Sequence, residues 1–194
     1  VAVSLCLLVD REVLLTAGGY DESYFILFED LDLSYRLRAA GWTIVSVADA
    51  LVLHDAGTAG ISYREGKHYP ARRVLFHSRN RWLYLLKCYR VRSLVLLAPS
   101  LLLYEAVWLG FALLHGAGGA WLAGKLEVWR RRKELGHARA VVQSSRSTSD
   151  RSLLVGGPLT VTPALREGRL SGALLALLDS SLRVWFALVR PLVG

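Results

Sequence analysis

The amino-acid sequence predicts an α/β domain over residues 1–90, followed by membrane-associated helices, and three observations carry that expectation. Runs rich in β-branched residues alternate with segments of helical period over the first 90 residues. Charge divides the chain: residues 1–65 carry 4 basic and 10 acidic side chains, and residues 66–194 carry 20 basic and 6 acidic, for a net charge of +8. Ser93–Leu114, finally, is a 22-residue stretch with a single charge, Glu105, in a chain of mean hydropathy +0.34. Leu supplies 39 of the 194 residues, which excludes a disordered or low-complexity polymer.

The elements follow in order. Ala2–Val9 reads as a buried strand, and Asp10–Ala17 as a short helix capped by the Asp10 carboxylate. Gly18-Gly19 stops that helix, and Tyr20–Phe25 is loop. Glu29–Ala40 is a helix, with Leu33 and Leu37 one turn apart and Gly41 just past its end. Thr43–Val47 and Ala50–Leu53 are β-rich, the second ending at His54, and Gly57–Gly66 is a glycine-containing loop. From Lys67 to Tyr89 the period is again helical, with Leu75, Trp82, Leu86 and Tyr89 on one stripe.

Beyond residue 90 the composition changes. Residues 91–142 form a membrane-spanning or re-entrant helical segment: at about 1.5 Å per residue Ser93–Leu114 is about 33 Å long, against about 30 Å of hydrocarbon. Pro99 kinks such a helix without forbidding it, and Gly116–Gly119 offers a place for the chain to turn back. Basic residues flank both ends, at Lys87, Arg90 and Arg92 and again at Lys125 and Arg130–Lys133, so charge gives no orientation. Residues 143–169 read as a polar linker, and 170–194 as an amphipathic interfacial helix containing the i,i+4 pair Asp179 and Arg183. The run Arg130–Lys133 is either a solvated helix face or an attachment to an anionic membrane, and Trp108, Trp121, Trp129 and Trp185 suit a membrane boundary. No nucleic-acid motif accompanies the charge, so nucleic acid is not an expected partner. Cys6 and Cys88 match neither a metal spacing nor a disulfide framework, which fits a reducing compartment. The missing Met and the strand-like start read as the C-terminal part of a longer domain.

Chemistry concentrates at Gly18–Arg36, where a glycine turn and an aromatic loop precede Glu29, Asp30 and Asp32, with Arg36 one turn beyond. Spacing leaves two readings open. Acidic side chains favour a helix N-terminus by about 0.3–1 kcal/mol each, and Asp32–Arg36 then forms a surface pair. Alternatively, three carboxylates within four positions, beside Phe25 and Phe28, are crowded as in a general-base or metal site.

The run Gly-Gly-Tyr-Asp-Glu, then Phe-Glu-Asp-Leu-Asp-Leu, Arg36 and Gly41-Trp42, resembles the second half of family-2 glycosyltransferases, rhamnosyl- and galactofuranosyl-transferase-like members above all. Val52-Leu53-His54 and a helix bearing Arg79-Asn80 follow in the same order. The resemblance covers residues 1–90. It implies a GT-A-like α/β domain, here its C-terminal half, and inverting transfer of a hexosyl or deoxyhexosyl group from a nucleotide-sugar donor to a lipid-linked or cell-envelope glycan acceptor. Asp30 falls at the general base. Gly18, Gly19, Tyr20, Glu29 and Asp32 fall around the acceptor, with Arg36 supporting Asp32. His54 falls at a ligand of a divalent cation, Mg or Mn, whose other ligands, an Asp-x-Asp motif among them, the resemblance places in the N-terminal half that precedes these residues. The resemblance further implies work on the cytoplasmic face of the cell membrane and no activity for residues 1–194 alone. The rival reading is a non-catalytic membrane-associated relative acting as a scaffold.

Overall fold

A computed structural model describes residues 6–53, 61, 69–157 and 169–193. Helix α1 spans Arg11–Thr16, and the Asp10 carboxylate caps it as expected, accepting from the backbone N–H of Glu12 at 2.8 Å and of Val13 at 3.1 Å. Helix α2 spans Glu29–Ala39 and ends at Gly41, whose φ of +95° is open to glycine at little cost. Helix α3 spans Ala71–Cys88 and starts later than the helical period because Pro70 occupies its N-cap, which turns the preceding residue away from helical geometry. Helix α4 spans Val91–Leu114 with Pro99 inside it. Gly116, at φ +66°, turns the chain into α5, Gly118–Arg130, which α6, Arg132–Ser144, follows. A one-turn helix α7, Asp150–Leu153, precedes α8, Arg169–Val189, which ends in a 3-10 turn at Arg190–Leu192.

The α/β expectation is overturned: the described residues contain helices, turns and irregular chain, and no strand among them. Cys6–Val9, Thr43–Val47 and Leu51–Leu53 are irregular, or bends, where strands were predicted. β-propensity reports how well a side chain fits a half-buried pleated surface, and a strand also needs a neighbour for its N–H and C=O groups. Among the described residues no such surface covers them: Leu51 is 89% and Leu53 96% exposed. His54 and most of the 57–66 loop lie outside the described residues.

Helix α3 is the axis of the assembly. Gly124 lets α5 lie directly on it, since a Cβ there would stand 2.8 Å from the Leu75 carbonyl oxygen and 3.0 Å from the Arg79 nitrogen. Helix α6 covers the other end of α3, where Arg139 donates to the carbonyls of Leu86 and Tyr89 and Gln143 to those of Lys87 and Cys88, occupying acceptors a helix end leaves open. The start of the predicted linker is tied down in the same way. Ser147 and Thr148 donate backbone N–H groups to the Ala39 carbonyl, and buried Asp150 accepts from Tyr35, Arg146 and the Arg90 N–H. Tyr35, Ala39, Cys88 and Leu153 close a core between α2, α3 and α7, while Leu97, Val189 and Val193 join α4 to the end of the chain.

Candidate active site

The glycine turn, the aromatic loop and the first turn of α2 form one unit braced from behind. Gly18 and Gly19 sit at φ +80° and +63°, where side-chain-bearing residues are strained. Arg36 grips this turn through the carbonyls of Ala17 and Gly19 and donates from Nε to Asp32 at 2.8 Å. The sequence-predicted Asp32–Arg36 pair therefore forms, but inward: Asp32 is fully buried. Its carboxylate also accepts from the Tyr24 hydroxyl at 3.1 Å and pairs with Lys87 Nζ at 2.6 Å. Lys87 reaches Asp21 as well, at 2.5 Å, and stands 4.8 Å from the centre of the Tyr24 ring. Burial pushes the Asp21 carboxyl up, but the hydrogen bonds from Lys87 and Ser23 and the Lys87 charge outweigh it and bring it down to about 2. Burial, then the Asp32 charge, raises the Cys88 thiol and the Tyr24 hydroxyl, so both stay protonated.

Three residues of the loop hold left-handed backbone without being glycine: Phe25 at φ +61°, Leu27 at +68° and Phe28 at +74°. Such residues cost about 1–3 kcal/mol each and persist only where surroundings over-determine them. Asn80 Nδ2 supplies that constraint, lying within 2.7–2.9 Å of the carbonyl oxygens of Tyr24, Ile26 and Leu27. Arg79 adds bonds to the carbonyls of Ser23 and Tyr24 and ties itself to Glu127 of α5 at 2.9 Å. The rings of Phe25 and Phe28 rest on Phe76 and His77 of α3, at centroid separations of 5.5 and 5.3 Å.

Glu29 and Asp30 open α2 straight after this strained segment, and Phe28 gives the helix no side-chain cap. One Glu29 oxygen is buried with no hydrogen-bond partner, and burial raises its carboxyl above the usual range, with Asp30 adding repulsion. Burial also raises the Tyr20 hydroxyl, and the charges of Asp30 and Glu29 raise it further, so these three side chains share one electrostatic neighbourhood. The structure thus brings Tyr20, Glu29 and Asp30 near enough for their charges to act on one another. Asp32 points away from Asp30 because two helical residues are about 200° of rotation. His54 lies outside the described residues, and among those described no cluster of His, Cys, Asp or Glu has the makings of a metal site.

Lys87 and the role of Arg79-Asn80 were not legible beforehand. The signal was the place of Arg79-Asn80 in the resemblance, which implies no contact, and their partners lie 53–66 positions earlier in the chain.

Residues 3–84, which contain this whole unit, match the family described as Glycosyltransferase like family 2. Two curated relatives, both named N-acetylglucosaminyl-diphospho-decaprenol L-rhamnosyltransferase, come from Mycobacterium tuberculosis strains CDC 1551 / Oshkosh and ATCC 25618 / H37Rv. Each is 39% identical over 80 residues, covering 41% of this chain and 24% of the relative. The chain thus spans about a quarter of the length of these relatives. No solved structure matches. Over residues 3–84 the chain is thus similar to glycosyltransferase family 2.

Proposed function

We propose that the chain is part of an inverting glycosyltransferase that moves a hexosyl or deoxyhexosyl group from a nucleotide-sugar donor to a lipid-linked or cell-envelope glycan acceptor. The observation that carries this reading is the half-buried pair Glu29–Asp30, with a buried, unpartnered oxygen on Glu29, mounted on a left-handed loop that Arg79 and Asn80 hold from behind. Asp30 is the general base. The acceptor hydroxyl attacks the anomeric carbon from the face opposite the leaving nucleotide, its proton passes to the Asp30 carboxylate, and the bond to the nucleotide's terminal phosphate oxygen breaks. A positioned base contributes about 10²–10⁴-fold, and position comes before pKa. Glu29 and Tyr20 receive acceptor hydroxyls, and the Gly18-Gly19 turn leaves room for the sugar. Asp32 and Arg36 hold the turn in place, so they act on the acceptor through it.

The relatives support a lipid-linked acceptor, since their name describes transfer to N-acetylglucosaminyl-diphospho-decaprenol. Two helices long and apolar enough to cross a membrane, Val91–Leu114 and Gly172–Leu192, support work at the cell membrane. The site faces the cytoplasm, where nucleotide sugars are available. Full-length protein in membranes, given labelled nucleotide sugar and acceptor, tests the assignment: Asp30→Asn loses about 10²–10⁴-fold in transfer. Transfer at the parental rate would remove Asp30 from the role of base.

A further inference from the structure

By length and composition alone α4 can cross a bilayer, but its surroundings point elsewhere. One face, carrying Val91, Val95, Leu102, Val107 and Leu114, is apolar and exposed along the whole helix. The opposite face meets charge. Glu105 accepts from Arg81 at 2.8 Å, Trp82 at 2.6 Å and Trp121 at 2.7 Å, and pairs with Lys125 at 2.6 Å. The Arg79–Glu127 pair bridges the same two helices, α3 and α5. An upright α4 would carry these ion pairs, and the irregular 18–28 loop fastened to them, toward the middle of the hydrocarbon. Ionised groups there are costly, and irregular backbone is tolerated only where protein or water covers it.

Helix α5 continues the exposed apolar surface. Leu122, Leu126 and Trp129, spaced four and three apart, all face outward, while Gly124, Lys125 and Glu127 face α3 and its partners. The Arg132 guanidinium lies 4.5 Å from the centre of the Trp129 ring, and Arg130 and Lys133 are exposed beside it. An apolar stripe edged by cations matches the boundary between acyl chains and anionic headgroups.

We propose that the chain is seated in a single leaflet of an anionic membrane. Helices α4 and α5 lie in the interface with their apolar faces in the acyl region, both ends of α4 stay on the same side, and Arg130, Arg132 and Lys133 meet headgroup phosphates. This rests on the membrane attachment of the functional reading and specifies its geometry.

Single cysteines at Arg90 and at His115, the exposed polar residues that flank α4, in full-length protein with Cys6→Ser, are exposed to a membrane-impermeant maleimide in everted and in right-side-out vesicles. Both positions react in everted vesicles and neither in right-side-out ones. Reaction of the two from opposite sides overturns the proposal while leaving membrane attachment intact. A spin label at Leu126 gives the second readout, in phosphatidylcholine vesicles with and without phosphatidylglycerol. The label is shielded from an aqueous nickel chelate only with the anionic lipid, and Arg130→Gln/Arg132→Gln/Lys133→Gln abolishes the shielding. A label equally exposed in both vesicles overturns the α5 seat. Shielding that rises with protein concentration without lipid assigns the face to a second copy of the chain instead. Failure of the protein to sediment with either vesicle overturns the membrane reading itself.

Discussion

Asp30 and Asp32 stand two residues apart in the first turn of α2 and meet opposite surroundings. Asp32 turns inward to Tyr24, Arg36 and Lys87 and sees no solvent. Asp30, half-buried, shares an electrostatic neighbourhood with Glu29 and Tyr20. A helix advancing about 100° per residue makes this division unavoidable. The contrast teaches that a run of carboxylates is not one site: part of it fastens the turn so that the rest can face a ligand.

Exchanging the two phenotypes would break this comparison. Asp30→Asn, with the largest expected effect, removes about 10²–10⁴-fold of transfer and leaves the unfolding midpoint in detergent unchanged. Asp32→Ala does the reverse first: stranding Lys87 and Arg36 in the interior costs about 3–5 kcal/mol, read by denaturant unfolding of the full-length protein. An Asp32 variant of parental stability but no activity would move that carboxylate into the site.

Asn80→Ala sharpens the comparison by releasing the loop without touching either carboxylate. Loop carbonyls left without a partner cost about 1–3 kcal/mol each where they are buried. We expect kcat to fall with little change in donor KM, because the acceptor side of the site loosens.

The smallest effect concerns pH. Asp21 has its carboxyl lowered from 3.8 to about 2 in the folded chain, chiefly through Lys87 once the opposing effect of burial is overcome. A depressed carboxyl contributes stability that is present above pH 3.8 and is lost as pH falls through about 2. The shift corresponds to about 2 kcal/mol. Asp21→Asn flattens that part of the acid-unfolding curve, and an unchanged curve would show that Lys87 answers to Asp32 alone.

What was legible in the sequence was local. Asp10 as a cap, Gly41 as a stop and the Asp32–Arg36 pair all depend on residues within one turn of each other, and all three formed. The strands failed because a strand is defined by its neighbour: Val45, Leu51 and Leu53 have strand-forming side chains but lie exposed in irregular chain. Lys87 and Asn80 were opaque for a related reason, since their partners are brought together only when α3 docks on the loop. The Glu29–Asp30 pair was legible as chemistry, yet its separation from the buried Asp32 followed only once Asp32 was seen anchored to Tyr24, Arg36 and Lys87.

The left-handed residues before α2 have one more consequence. Positive φ is the native conformation of mirror-image amino acids, so D-residues at 25, 27 and 28 would suit this stretch better than the L-residues that occupy it. Among encoded residues only glycine offers comparable relief, and it would delete the rings that rest on Phe76 and His77. Semisynthesis separates the two demands. A chain bearing D-Leu at position 27 keeps the side chain, drops the torsional burden, and asks whether the site needs this shape or needs it held under tension.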